Sequence, residues 1–155
     1  MKQSAQLSDA IHILIYLAFV QDPNELSSEA IALSINTNAS RVRKLMSYLK
    51  KANLIESNRG RSVTKIAKPL SEISILDVYR SLNESAYLLG IDQNTSQLCP
   101  VGESIQEVLN IEYQKIQKAA EREMAAISLK DVMDNFVRVS YEKHPDQKEW
   151  YEEFF

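Results

Sequence analysis

The sequence predicts a mainly α-helical fold with one small β-hairpin and a long C-terminal helix. Three observations carry that expectation. The 155 residues hold only three glycines and four prolines, with 45% apolar and 25% charged residues, the make-up of an ordinary globular, helix-rich chain. Two short helical patterns joined by about three polar residues are followed at once by two short strand patterns around an Asn58-Arg59-Gly60-Arg61 turn. Last, a stripe of apolar residues at alternating steps of three and four runs for about 25 residues, from Glu103 to Ile127. A chain of this length supports one folding unit with an appendage and is too short for two independent cores.

Ser8 to Phe19 reads as a first helix capped by Ser8, and its apolar residues Ala10, Ile11, Leu14, Ile15, Leu17 and Ala18 go most of the way round, so burial on more than one side is expected. His12 within it reads as a packed core or interface residue. After the Asp22-Pro23-Asn24 turn, Ser27 or Ser28 caps a short second helix carrying Ala30, Ile31 and Leu33 and stopping near Ile35-Asn36. Asn38 then caps a third helix reaching about Ala52, with Val42, Leu45, Met46 and Leu49 on one stripe and Arg41, Arg43, Lys44, Ser47 and Lys51 opposite. The strands are expected at Leu54 to Ser57 and Ser62 to Ile66. Pro69 ends the hairpin. Ile73 to Leu82 forms a short helix with Ile75, Val78, Tyr79 and Leu82 inward, and a loop from Gly90 to Pro100 leads to the long helix. That helix presents Ile105, Leu109, Tyr113, Ile116, Ala120, Met124 and Ile127; it exceeds what a small domain can cover, so a second copy of the chain is expected against it. Ser128 to Val139 makes a short packing helix through Leu129, Val132, Met133 and Phe136. The polar tail holds Trp150, Tyr151, Phe154 and Phe155, aromatics that either dock or stay exposed at the chain's end.

The formal charge of −3 conceals a segregation along the chain. From Asn38 to Lys68 nine basic residues (Arg41, Arg43, Lys44, Lys50, Lys51, Arg59, Arg61, Lys65, Lys68) face one acid, Glu56, a balance of +8 that leaves −11 for everything else. A basic segment in an acidic protein is the footprint of a polyanion site; a merely solvated basic face is the weaker alternative. Combined with two helices and a hairpin, it describes a winged helix-turn-helix whose second short helix enters the major groove of DNA. The DNA-contact candidates are Ser28 at the second helix, Asn38, Ala39, Ser40, Arg41, Arg43, Lys44 and Lys51 on the third, and Arg59 and Arg61 in the wing. Arg41 is the first choice for base readout, because a guanidinium pairs bidentately with guanine. Lys44 and Lys51 suit phosphates, which position without specifying.

Other classes are excluded or disfavoured. The apolar run from Ile11 to Val20 is shorter than the roughly 20 residues of a membrane span, and no signal-peptide cleavage pattern follows it, so a reducing cytoplasm is expected and no membrane partner. One cysteine, Cys99, forms no internal disulfide and falls short of the thiolates that a structural zinc or an iron-sulfur cluster takes; no metal and no cofactor are expected. No phosphate-binding glycine loop, His/Cys pairing or nucleophile elbow is present, so the chain does not read as an enzyme.

The string Leu45-Met46-Ser47-Tyr48-Leu49-Lys50-Lys51-Ala52-Asn53-Leu54-Ile55, then Arg59-Gly60, then Ile66-Ala67-Lys68-Pro69-Leu70-Ser71-Glu72-Ile73-Ser74-Ile75-Leu76-Asp77-Val78, resembles one known family over about Leu7 to Ile127. It is similar to the Rrf-two family of winged helix-turn-helix transcriptional regulators, the group that includes IscR, NsrR and CymR. The resemblance implies a DNA-binding homodimer, joined by the long helix, acting on promoters. Two departures stand out: the wing turn is about one residue shorter than in many members, and the three cluster cysteines of some members are reduced here to Cys99, just before the long helix in the family's sensor region.

The resulting division is a DNA-binding domain over 1–85, a sensor-type loop over 86–100, the dimerisation and packing helices over 101–140, and a tail over 141–155. The expected function is sequence-specific transcription regulation, as a repressor on a palindromic operator, with Cys99 as a candidate redox sensor because a helix N-terminus favours thiolate. The alternatives are a winged-helix module that binds proteins, or one that senses a small molecule between the short helix and the long one; the sequence names no effector.

Overall fold

The computed structural model describes residues 2–57, 63–82 and 87–154, with side chains from Ala5 onward. Helix α1 spans Lys2–Phe19, starting six residues before the expected cap at Ser8, which lies inside it. The reason is local: Gln3, Ala5, Gln6 and Leu7 are good helix formers, and no Gly or Pro interrupts them. Ala10, Ile13 and Leu14 of α1 are fully buried and form the spine on which the rest packs.

Helix α2 (Ser28–Ile35) begins where the Ser27 hydroxyl accepts the Ala30 N–H at 3.1 Å. It ends at Asn36, whose left-handed backbone (φ 60°) reverses the chain, a conformation Asn tolerates better than most residues. Helix α3 (Ala39–Lys51) starts with the Asn38 side chain accepting the Arg41 N–H at 2.9 Å. Its buried residues Val42, Leu45 and Leu49 lie against α1 and α2 with Ile31, which fixes the angle of the exposed basic face. Strands β1 (Ile55–Ser57) and β2 (Thr64–Ile66) pair antiparallel in the register Ile55↔Ile66, Glu56↔Lys65, Ser57↔Thr64, shorter than the predicted strands. The turn between them, with Arg59 and Arg61, lies outside the described residues.

Helix α4 (Ile75–Leu82) starts two residues later than expected and buries Leu76, Val78 and Tyr79, while Ile75 is only partly covered. Ser74 and Asp77 explain the shift. The Asp77 carboxylate accepts from the Ser74 N–H (2.8 Å) and the Ser74 hydroxyl accepts from the Asp77 N–H (3.1 Å), so the helix begins at the residue after Ser74. Ile73, fully buried, remains extended and bridges to the junction of the last two helices, where Leu129 donates to its carbonyl at 2.7 Å.

Helix α5 (Pro100–Ala126) runs 27 residues with Pro100 in its first turn. Helix α6 (Leu129–Lys143) carries a capping box between Ser128 and Asp131, and runs four residues beyond the expected Val139. It stops at His144, the residue before Pro145, where a helical backbone is disfavoured. The tail docks. Tyr151 is buried, and Phe154 stacks on Phe19 with ring centroids 5.3 Å apart, beside an edge-on Phe19–Phe136 contact at 5.0 Å. Trp150 stays 63% exposed, and Phe155 lies outside the described residues. No helix among the described residues is long and apolar enough to cross a membrane.

Candidate nucleic-acid interface

The caps of α2 and α3 fix where each helix begins, and with it the placement of the predicted DNA residues that those helices carry. Ser28 occupies the first turn of α2; Asn38, Ala39 and Ser40 open α3; Arg41, Arg43, Lys44 and Lys51 follow along its outer side. Their surroundings differ. The Arg41 guanidinium reaches across to α1, with Nε 2.9 Å and Nη2 2.8 Å from Asp9 Oδ2. The Glu29 carboxyl, in the first turn of α2, is held below its ordinary range first by the backbone N–H of Glu29 and then by Arg43, whose Nη1 lies 2.9 Å from Glu29 Oε1. Lys50 donates to Ser57 Oγ at 2.6 Å, tying α3 to β1, and Lys65 pairs with Glu56 across the hairpin at 3.1 Å. Lys44 and Lys51 are exposed and have no ion-pair partner among the described residues. Beside Arg41, a polar depression of about 350 Å³ is lined by Gln6, Asn38, Ser40 and Lys44.

A basic helix with a capped start and two lysines without an ion-pair partner among the described residues presents positive charge and hydrogen-bond donors, as a helix that meets a polyanion does. The comparisons with known proteins agree with that geometry. The Rrf2 family model, described as "Iron-dependent Transcriptional regulator", matches residues 3–135. The chain belongs to the Rrf2 family.

Among Rrf2 relatives it is 39% identical over 132 residues to YwnA of Bacillus subtilis, named as an HTH-type transcriptional regulator, covering 85% of this chain and 97% of that one. A crystal structure described as that of a DNA binding protein is 39% identical, with a TM-score of 0.65 over 83% of this chain and 98% of its own. The oxidized form of Staphylococcus aureus CymR shares the fold at 23% identity and a TM-score of 0.59, covering 86% of this chain and 96% of that one. The fold is therefore the winged helix-turn-helix with a long C-terminal helix, and the protein is a DNA-binding transcription regulator by family, not an enzyme.

The iron in the Rrf2 description finds no matching donor set here. An iron-sulfur cluster takes several cysteine thiolates, the chain has Cys99 alone, and among the described residues no three His, Cys, Asp or Glu side chains gather around a metal-sized space. Cys99 is exposed at the N-cap of α5, where the backbone N–H groups of Gly102 and Val101 pull its thiol below the ordinary range. The loop before it is fastened to the helix: Thr95 Oγ1 donates to the Gly102 carbonyl (2.7 Å), and Gln106 Nε2 donates to Thr95 Oγ1 (2.8 Å) and to the Gln93 carbonyl (2.9 Å).

No residue of α5 is buried within the single chain. Of the predicted stripe, Ile105, Leu109, Tyr113, Ala120 and Met124 are half-covered, while Ile116 is 49% exposed. Val101, Val108 and Ile111, absent from that stripe, are 68%, 50% and 55% exposed and extend the apolar face. A largely apolar groove of about 640 Å³ lies along α1 and α6 between Ile11, Ile15, Phe19, Val132 and Phe136. His12 is exposed on its rim, 2.8 Å from Ser34 Oγ, and is thus not the packed core residue that was one of its two expected settings. The sequence missed Asp9 and Glu29 as partners of the arginines: their pairing depends on how α1 and α2 cross α3, which no local pattern encodes.

Proposed function

We propose that the protein is a homodimeric, sequence-specific repressor that seats two α3 helices in successive major grooves of a palindromic operator. The observation that carries this reading is the basic face of α3, with Lys44 and Lys51 exposed on it, in a segment of charge +8 within a chain whose remainder carries −11. Ser28, Asn38, Ala39 and Ser40 lie where a recognition helix meets the duplex, Arg41 reads a base, and Arg43, Lys44 and Lys51 hold the backbone; Arg59 and Arg61 of the wing complete the contact. The apolar stripe of α5 supports dimerisation through Ile105, Leu109, Tyr113, Ile116, Ala120 and Met124, of which Ile116 is exposed and the others are half-covered within the single chain. Repression is the simplest consequence of such seating, since occupying a promoter requires no second contact with polymerase.

A switch is favoured by the setting of Cys99, an exposed thiol with lowered pKa on a loop fastened to α5, the helix that packs on α4. Oxidation there weakens DNA binding by disturbing the dimer. Fluorescence anisotropy with DNA from the gene's own upstream region tests both parts. Affinity falling steeply with salt supports the DNA reading, and affinity unchanged between low and moderate salt removes it. Loss of binding after mild peroxide in wild type but not in Cys99→Ser supports the switch; binding indifferent to peroxide removes it.

A further inference from the structure

We propose that Asp9 of α1 is a specificity-determining residue of the DNA interface, holding Arg41 by one edge of its guanidinium so that the other edge is presented to a guanine. The inference rests on the reading of α3 as the helix that enters the groove, and adds to it a residue from outside the helix-turn-helix.

A guanidinium is a rigid plane with five N–H donors. In Arg41 the Nε edge is occupied, since Nε and Nη2 both lie within 2.9 Å of Asp9 Oδ2. The opposite edge, Nη1 with the second Nη2 hydrogen, has no partner among the described residues. Two parallel N–H groups on that edge match the paired acceptors O6 and N7 of guanine in the major groove. The burial is graded in the useful direction. The Asp9 side chain is 20% exposed and that of Arg41 39%, so the arginine is the more accessible of the pair.

Two consequences separate this role from a merely structural one. Held by an acid, Arg41 loses less rotamer freedom on meeting a base, so its contact discriminates more sharply. The acid also offsets the arginine's charge, which lowers attraction to phosphate at every sequence alike and widens the gap between right and wrong sites.

The test is selection of binding sequences from a random duplex pool by wild type, Asp9→Ala, Arg41→Ala and the double variant, followed by titration of the selected duplexes. Wild type is expected to select one G·C pair per half-site that Arg41→Ala no longer prefers. Asp9→Ala should reduce the preference at that same pair by about tenfold, raise affinity for random DNA, and change nothing further in the Arg41→Ala background. Should Asp9→Ala fail to fold, as its circular dichroism would reveal, Asp9→Asn replaces it, keeping the shape and removing the charge, with a loss of preference in the same direction. An undiminished or sharper preference in the Asp9 variants would overturn the inference, as would a uniform loss across all positions. If wild type selects no sequence at all, the DNA reading itself fails and the inference falls with it, an outcome distinct from the others.

Discussion

Arg41 and Lys44 stand one turn apart on α3, yet their substitution should read out differently because one is paired and the other bare. Lys44 carries a point charge with freedom to find a phosphate. Lys44→Ala is therefore expected to weaken binding to all duplexes about equally and to reduce the log–log salt slope by about one, as titrations at several salt concentrations would measure. A loss confined to particular sequences would instead make Lys44 a base reader. Cys99 poses a different question at the same scale. Because the amides of Gly102 and Val101 favour its thiolate, alkylation by iodoacetamide should level off at a lower pH in the folded protein than after unfolding in urea. Coincident profiles would show that the helix start does nothing to the thiol. The candidate residues of α3 were legible as a basic face on an amphipathic helix, and Cys99 as the one thiol. Their partners were not, since Asp9 and Glu29 resemble any other surface acid until the crossing of the helices is known.

Elements start and stop on side chains that the sequence displays, and where an expected helix start moved, a local feature of the sequence accounts for it. Ser27, Asn38 and Ser128 cap helices at the expected positions. Ser8 does not, because a good helix-forming run precedes it, and Ile73 is left outside α4 because Ser74 and Asp77 cap each other. The hairpin's core pair, Ile55 with Ile66, was visible as alternating apolar residues. At α6, Ser128→Ala removes the hydroxyl that accepts the Asp131 N–H and should cost about 1 kcal/mol in denaturant unfolding. The Asp131 carboxyl is held below its ordinary range chiefly by the Ser128 hydroxyl, so its folded pKa is depressed. Its contribution to stability is therefore present above the unfolded aspartate pKa and is lost as pH falls through the folded value. Asp131→Asn should flatten the acid limb of a melting-temperature curve; an unchanged limb would show the box to be idle. Gly102 brings two opposed effects into one substitution. Alanine favours a helix interior by about 1 kcal/mol over glycine. Here, however, a Cβ would collide with the Ser96 backbone carbonyl oxygen, so the loop must leave the helix. Gly102→Ala is expected to raise cleavage of residues 93–96 by a non-specific protease, and unchanged cleavage would show that the loop gives way without detaching.

At the scale of the whole molecule, two apolar surfaces remain after the core is complete. Around α1 the core is full: Ile13, Leu14, Ile31, Leu49 and Ile73 are among its fully buried side chains, and the aromatic tail closes the far end over Phe19. Docking of that tail was undecidable from sequence, because aromatic residues near a terminus carry no sign of what they meet. Along α5, by contrast, Val101, Val108, Ile111 and Ile116 remain open on a helix with no buried residue, and an apolar groove stays open between α1 and α6. A 27-residue helix held along α4 and by the loop before it would not keep four large apolar side chains in water without cost, since each fully buried one recovers about 1.5–3 kcal/mol. In the proposed dimer a second copy supplies the cover. Val108→Glu with Ile111→Glu, three residues apart, places two charges on one exposed apolar face while keeping good helix formers in the helix. The expected result is a monomer by light scattering, with helical circular dichroism retained. Affinity for a palindromic duplex should fall to that of one half-site, while binding to an isolated half-site is unchanged, because the second α3 otherwise binds at a high effective concentration. A double variant that stays dimeric and binds the palindrome as wild type does would move dimerisation off this helix face.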